Sequence, residues 1–236
     1  GAGVGTNGGS FGFTISENNW LGDGKEIAFD TEVTNDSLRG TINYTDPNYD
    51  FLGNSLNYYL SSTSNDKPDQ GYENSIVSAG INTSFEQYKD LFATLGLNAS
   101  YDDLRTTDNA SASLRQQSGE FSELAGVYGF ALDKRNRTFM PTDGSILSFN
   151  QVLPFYADKS YISNTLAYSG YNTLTENVVN ATKFYVSAIN GLGSDNVRVS
   201  KRNFLSTKRL RGFKRGKVGP IDGTDHIGGN YAAALN

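Results

Sequence analysis

Apolar and polar residues alternate strictly along this chain, in runs of about ten, segment after segment. From Lys25 to Thr34, Ile27, Phe29 and Val33 point one way while Glu26, Asp30 and Glu32 point the other. Leu38, Ile42 and Tyr44 alternate with Arg39, Thr41 and Asn43. Leu91, Ala93, Leu95, Leu97, Ala99 and Tyr101 alternate with Thr94, Gly96, Asn98 and Ser100. A period of two sends successive side chains to opposite faces of a strand, so each run predicts a strand with one apolar and one polar face. Similar runs recur over 10–17, 55–63, 74–85, 121–132, 145–153, 161–173 and 183–190. A glycine-rich strand opens the chain at Gly1–Thr6, another segment closes it at Gly229–Asn236, and a less regular one covers Arg202–Ser206. The reading gives about twelve or thirteen strands and no helix.

In a soluble sandwich the apolar face would meet a second sheet. These runs are longer than the common strand of about 5–6 residues. They match the roughly 9–11 residues with which a barrel strand crosses a membrane, apolar outside and polar inside. Short aromatic turns, 18–24, 46–51 and 85–90, are interleaved with longer polar loops at 61–71, 102–119 and 191–228. Short turns at one rim and long loops at the other are the outer-membrane arrangement, and Trp20 and the tyrosines at the short-turn rim fit an interfacial aromatic belt. The turn at Asn35-Asp36 is short where a long loop is due. The expected fold is therefore all-β: one transmembrane, antiparallel, up-and-down β-barrel domain over residues 1–236.

Composition removes several kinds of chemistry. With no cysteine there is neither a disulfide nor a thiolate metal site. One histidine, His226, builds neither a zinc site nor a histidine-based triad. No apolar run approaches the roughly 18 residues of a membrane helix. The glycine clusters at Gly1–Gly5 and Gly8-Gly9 lack the Lys-Ser/Thr and the helix of a phosphate loop. A net charge of -5 argues against nucleic acid as the main partner. No metal, no cofactor and no enzymatic activity are expected. Glu26, Asp30 and Glu32 share one strand face. Paired carboxylates can do acid–base work, but a polar barrel lining is the preferred reading.

Against this acidic background, nine of the 20 Lys and Arg residues fall between Arg198 and Lys217. Basic residues with an interleaved aromatic could bind nucleic acid or lipid phosphates. A third reading folds the 191–228 run back into the barrel, where Arg211 would meet the acidic lining. The third is preferred, because the inward faces are acidic and the run is basic.

Four stretches carry a family resemblance. Leu210-Arg211-Gly212-Phe213, within Lys208–Phe213, resembles the Val/Leu-Arg-Gly-Phe/Tyr motif of the outer-membrane assembly and two-partner secretion barrels related to BamA. Asn18–Gly24, with Trp20 and Gly22, resembles that family's Asn-Trp-Leu-Gly turn, in the form used by its assembly branch. Asp133–Gly144, with Pro141 and Gly144, resembles its Phe-x-Pro-Thr-x-Gly turn, and Gly219-Pro220 with Gly228-Gly229-Asn230 resembles the end of its motif loop. The resemblance implies a sixteen-stranded barrel preceded by periplasmic POTRA domains, of which this sequence spans the barrel without its last strands. It implies that Leu210, Arg211, Gly212 and Phe213 project into the lumen, with Arg211 on inner-wall acids, the usual one on a strand position just beyond Asn236. It implies that Gly1, Ala2, Gly3, Val4, Gly5 and Thr6 form the strand at a lateral seam. The implied function is insertion and folding of other barrel proteins, by strand addition at that seam. Implied partners are unfolded outer-membrane β-barrel clients, outer-membrane lipids, periplasmic chaperones and assembly-complex lipoproteins. The implied location is the outer membrane of a Gram-negative bacterium. The alternatives are a two-partner secretion or TamA-type translocation barrel, or a porin.

Overall fold

A computed structural model describes residues 1–5, 8–207, 209–214 and 216–236. Thr6 of the expected seam strand and Lys208 of the basic stretch lie outside the described residues. Each run of alternation becomes a strand: β1 (Ala2–Gly5), β2 (Gly8–Trp20), β3 (Lys25–Thr34), β4 (Ser37–Asp46), β5 (Ser55–Lys67), β6 (Tyr72–Tyr88), β7 (Leu91–Thr106), β8 (Gly119–Asp133), β9 (Gly144–Ala157), β10 (Tyr161–Thr175) and β11 (Val178–Gly191). A two-residue pair follows, β12 (Ile221–Asp222) and β13 (Asp225–His226), and then β14 (Tyr231–Leu235). One 12-stranded sheet runs β1 to β11 and then β14, in chain order. Every described pairing in it is antiparallel. This is the wall of an up-and-down transmembrane β-barrel.

The alternation decides which face meets lipid. Leu60, Leu95, Ile42 and Phe29, at 50, 49, 44 and 42% exposed, stand on the outward face. In a membrane, backbone groups satisfied within the sheet and an apolar outer band are both required. The opposite face is polar and cross-linked. Thr14 Oγ1 donates to Asp30 Oδ1 at 2.8 Å. Tyr59 OH donates to Asn98 Oδ1 at 2.8 Å, from β5 to β7 over the intervening β6. Gly80 of β6 pairs with both Tyr59 and Asn98, and a Cβ there would overlap the Tyr59 ring.

The turns with motif resemblance have local causes. Asn19 Oδ1 accepts from Gly24 N at 2.8 Å, and the chain turns through Leu21 at φ 58° and Gly22 at φ 81°. Between β8 and β9, Asn136 Oδ1 accepts from Thr142 N and Asp143 N. Gly144 leaves that turn at φ 86°, where a Cβ would run into the Lys134 carbonyl.

Three expectations change. Strands β5, β6 and β7 extend beyond the runs read as strand, so the 61–71 loop shrinks to a 3-10 turn at Pro68–Gln70. A one-turn helix, α1 (Ala112–Arg115), and a second 3-10 turn, Val199–Lys201, interrupt the all-strand reading. Four residues are too few to leave a helical period; Ser111 caps the turn by accepting from Leu114 N. The Arg202–Ser206 segment is not a strand; within it Asn203 makes one isolated bridge to Gly229.

Candidate functional site

The main buried cluster of this sheet lies on its polar face, where the 192–230 segment packs. Asp102 of β7 and Glu123 of β8 are 1 and 4% exposed. Asp102 pairs with Phe121, so Glu123, two residues on, shares its face. Buried carboxylates need neutralising partners, and the segment supplies them around Val199–Lys201. Arg198 reaches Asp102 Oδ2 at 3.4 Å and Glu123 Oε2 at 3.7 Å, and Lys201 Nζ reaches Glu123 Oε2 at 3.1 Å. Ser200 Oγ donates to Asp102 Oδ2, Asn74 Nδ2 to Asp102 Oδ1 and Tyr161 OH to Glu123 Oε1, all at 2.8 Å. The Arg198 guanidinium lies 4.2 Å from the Phe121 ring centroid.

Apolar packing reinforces the charges. Val199, fully buried, joins Tyr72, Leu104, Ala110 and Leu114, with Phe121, Phe204 and Ile227 at the margin. Val197 packs with Tyr161 and Ile189. Val199 N donates to Gln117 Oε1 at 2.9 Å. Ser187 Oγ of β11 donates to Asn203 Oδ1 at 2.8 Å, tying the segment to the wall beside β14.

Further along, the attachments are peripheral. The Arg209 guanidinium stacks 3.4 Å from the Tyr185 ring centroid. Lys214 and Lys217 meet Asp69 at 2.7 and 2.8 Å. Hydrogen bonds from these two ammonium groups hold the Asp69 carboxyl below the usual carboxylate range. Ser111 N donates to Asp225 Oδ2 at 2.8 Å, and Ser111 Oγ and Ser113 Oγ donate to Asp222.

The motif residues sit between these attachments. Leu210 is half-buried; Arg211, Gly212 and Phe213 are exposed, with Gly212 at φ 84°. Among the described residues Arg211 makes no ion pair or hydrogen bond. Arg198 and Lys201, rather than Arg211, occupy the buried acids Asp102 and Glu123. The reason is packing, because the turn carrying Arg198 also inserts Val199 into the apolar seat beside them.

Asp30 and Glu32 lie on the polar face, Asp30 bonded to Thr14 and Glu32 opposite Arg39; Glu26 is exposed, opposite Thr45. Among the described residues none of the three pairs with the basic segment. Gly1 leads into β1, whose residues Ala2, Gly3, Val4 and Gly5 pair with β2 alone. Among the described residues no cluster of histidine and carboxylate groups could hold a metal ion.

Asp102, Glu123, Tyr161, Arg198 and Lys201 were not singled out from the sequence. A signal existed: extending the alternation beyond Tyr101 places Asp102 inward, and Glu123 holds an inward position in the 121–132 run.

Comparisons with known proteins agree with this architecture. A crystal structure of BamA from Haemophilus ducreyi lacking POTRA domains 1-3 matches with a TM-score of 0.85 at 24% identity, over 97% of this chain and 50% of that one. Sorting and assembly machinery component 50 homolog A of Xenopus laevis is 26% identical over 123 residues, 51% of this chain and 26% of the relative. The Homo sapiens homolog matches over the same length at 26% identity. The chain thus spans about a quarter of the length of these curated relatives. Residues 19–235 match the Omp85 superfamily domain, and the chain belongs to the Omp85 superfamily.

Proposed function

We propose that this barrel inserts and folds other β-barrel proteins in an outer membrane, at the edge formed by β1. Membership of the Omp85 superfamily sets the class. The observation that supports the mechanism is the glycine content of the first pairing, where Ala2–Gly5 of β1 lies against the glycine-rich start of β2. Unpaired backbone groups are costly in lipid, so a seam strand that parts from its neighbour is a template on which a client strand adds by hydrogen bonding. Glycine weakens strand pairing, which suits a seam that must exchange partners.

In this reading the clients are unfolded outer-membrane barrel proteins, and the surrounding solvent is outer-membrane lipid. Periplasmic chaperones deliver the clients and assembly-complex lipoproteins cooperate. The membrane is that of a Gram-negative bacterium. In this reading no covalent bond is made or broken, and the protein is not an enzyme.

The test reconstitutes the full-length protein in liposomes and follows folding of an unfolded outer-membrane barrel client. Acceleration over empty liposomes is expected. No acceleration, with steady ion conductance instead, would replace the reading with a secretion pore or porin.

A further inference from the structure

We propose that the outer face of the wall over β8–β10 holds one glycerophospholipid in place, with an acyl-ester carbonyl hydrogen-bonded to the Asn164 amide. Three polar side chains share a row on that face. Leu95, outward on β7, lies opposite Tyr128 of β8. Tyr128 lies opposite Gln151 of β9, and Gln151 opposite Asn164 of β10. Directly opposed residues share a face of a sheet, so all three point towards lipid. Apolar rows enclose them. On one side run Phe130, Phe149, Leu166 and Val186; on the other stand Gly126 and Leu153. The Tyr128 ring lies 6.5 Å from that of Phe130 and 6.3 Å from that of Phe149, between centroids. The row is thus inside the apolar band, where a bilayer offers no water to satisfy an amide.

Within the row the donors run in one direction. Tyr128 OH donates to Gln151 Oε1, and Gln151 Nε2 donates to Asn164 Oδ1. The run ends at Asn164, whose Nδ2 has no acceptor among the described residues. Unbound, that donor would be stranded in hydrocarbon. The next position in the row is Ala188 of β11, whose methyl leaves the space beside the amide open. Asn164 is half-buried and stands three residues from the start of β10 at Tyr161, about 10 Å along a strand, at the rim that carries the long loops. A glycerophospholipid carries its ester carbonyls at the top of its acyl chains. It can therefore accept from Asn164 there while a chain runs down over Ala188 and Val186. The row is uncharged, so it suits the neutral ester rather than the headgroup phosphate. Phe155, 67% exposed, stands over Gly126 beside the row and breaks the flat face that a partner's sheet or helix would need.

The inference rests on the membrane setting of the barrel and not on the insertase reading. Its test is native mass spectrometry of the full-length protein in detergent. The protein is titrated with a diester phosphatidylethanolamine or with its diether analogue, which lacks both carbonyls. Wild type is expected to retain one diester lipid about two- to ten-fold more strongly than the diether, the range for one net hydrogen bond. Asn164→Leu should remove that preference, and Asn164→Gln, which keeps an amide, should restore part of it. Gln151→Leu frees Asn164 from the row and should weaken retention by less than Asn164→Leu. Leu166→Ala, on the neighbouring apolar row, should leave the preference unchanged. An apolar residue suits a lipid-facing site, so Asn164→Leu should form a barrel; gel mobility without heating checks this, and Asn164→Ala takes its place if it does not. No preference for the diester in wild type, or a preference that survives Asn164→Leu, overturns the proposal. Loss of a co-purifying protein in Asn164→Leu, with lipid retention unchanged, also overturns it and gives the face to a protein partner.

Discussion

The segment packed on the polar face of the sheet has two halves of similar charge and opposite circumstance. Residues 197–203 carry Arg198, Lys201 and Arg202 and are buried or half-buried throughout. Residues 209–214 carry Arg209, Arg211 and Lys214 and are largely exposed, Phe213 at 55%. Both halves are basic and both lie near acids, so charge alone does not choose which half docks. The difference is Val199 and Val197: the anchor brings apolar side chains that fill a seat, and its charges follow them out of water. The tip has an aromatic but no seat for it among the described residues.

The largest way to break this contrast is Glu123→Ala, which takes the acid from Lys201 and leaves Arg198 with Asp102 alone. The expected loss is about 3–5 kcal/mol of docking free energy, the scale for breaking a buried ion pair. It would be read as a shift in the urea dependence of trypsin protection. Val199→Ala keeps every charge and empties part of the seat, with an expected cost of about 2 kcal/mol; the same titration measures it. Arg209→Ala removes the stack on Tyr185 and should cost about 1 kcal/mol, seen as faster hydrogen exchange near 209–213 with residues 197–203 unaffected.

The smallest effect is that of pH on the tip. Asp69 holds Lys214 and Lys217 with a lowered folded pKa. Its contribution is complete above the ordinary carboxylate value of about 4 and is lost as pH falls through the lower folded value. A spin label at Gly212→Cys, in a chain with no cysteine of its own, should keep constant mobility from pH 8 to about pH 5 and loosen only below about pH 4. Loosening near neutral pH would mean that Asp69 is not the tether.

The wall was legible because period two is a local property: Leu91 to Tyr101 declares a strand without reference to any other residue. Strand ends were less legible. Asn65, Asp66 and Lys67 read as loop, yet they continue the ladder opposite Asn74, Glu73 and Tyr72. Nothing in a polar composition distinguishes a strand rising above the membrane from a loop. The anchor was illegible for a different reason. Arg198 and Asp102 stand 96 positions apart, and their meeting depends on how β7, β8 and the Val199 seat pack together. The Leu210–Phe213 motif was visible through its resemblance, which said nothing of Arg198.

Two tyrosines have a mechanical consequence. Tyr59 reaches from β5 to Asn98 on β7, and Tyr161 from β10 to Glu123 on β8. Each bond is a chord drawn across an arc, skipping one strand, with small Gly80 beneath the first and Ala157 opposite Glu123 beneath the second. A chord on the inner side of a ribbon favours bending it inward. The wall's radius is thus held partly from within, strand by strand, and does not depend wholly on the ring being closed. Under the proposed insertase reading, a barrel that works with one seam unzipped needs a hull that keeps its curve while the seam gapes.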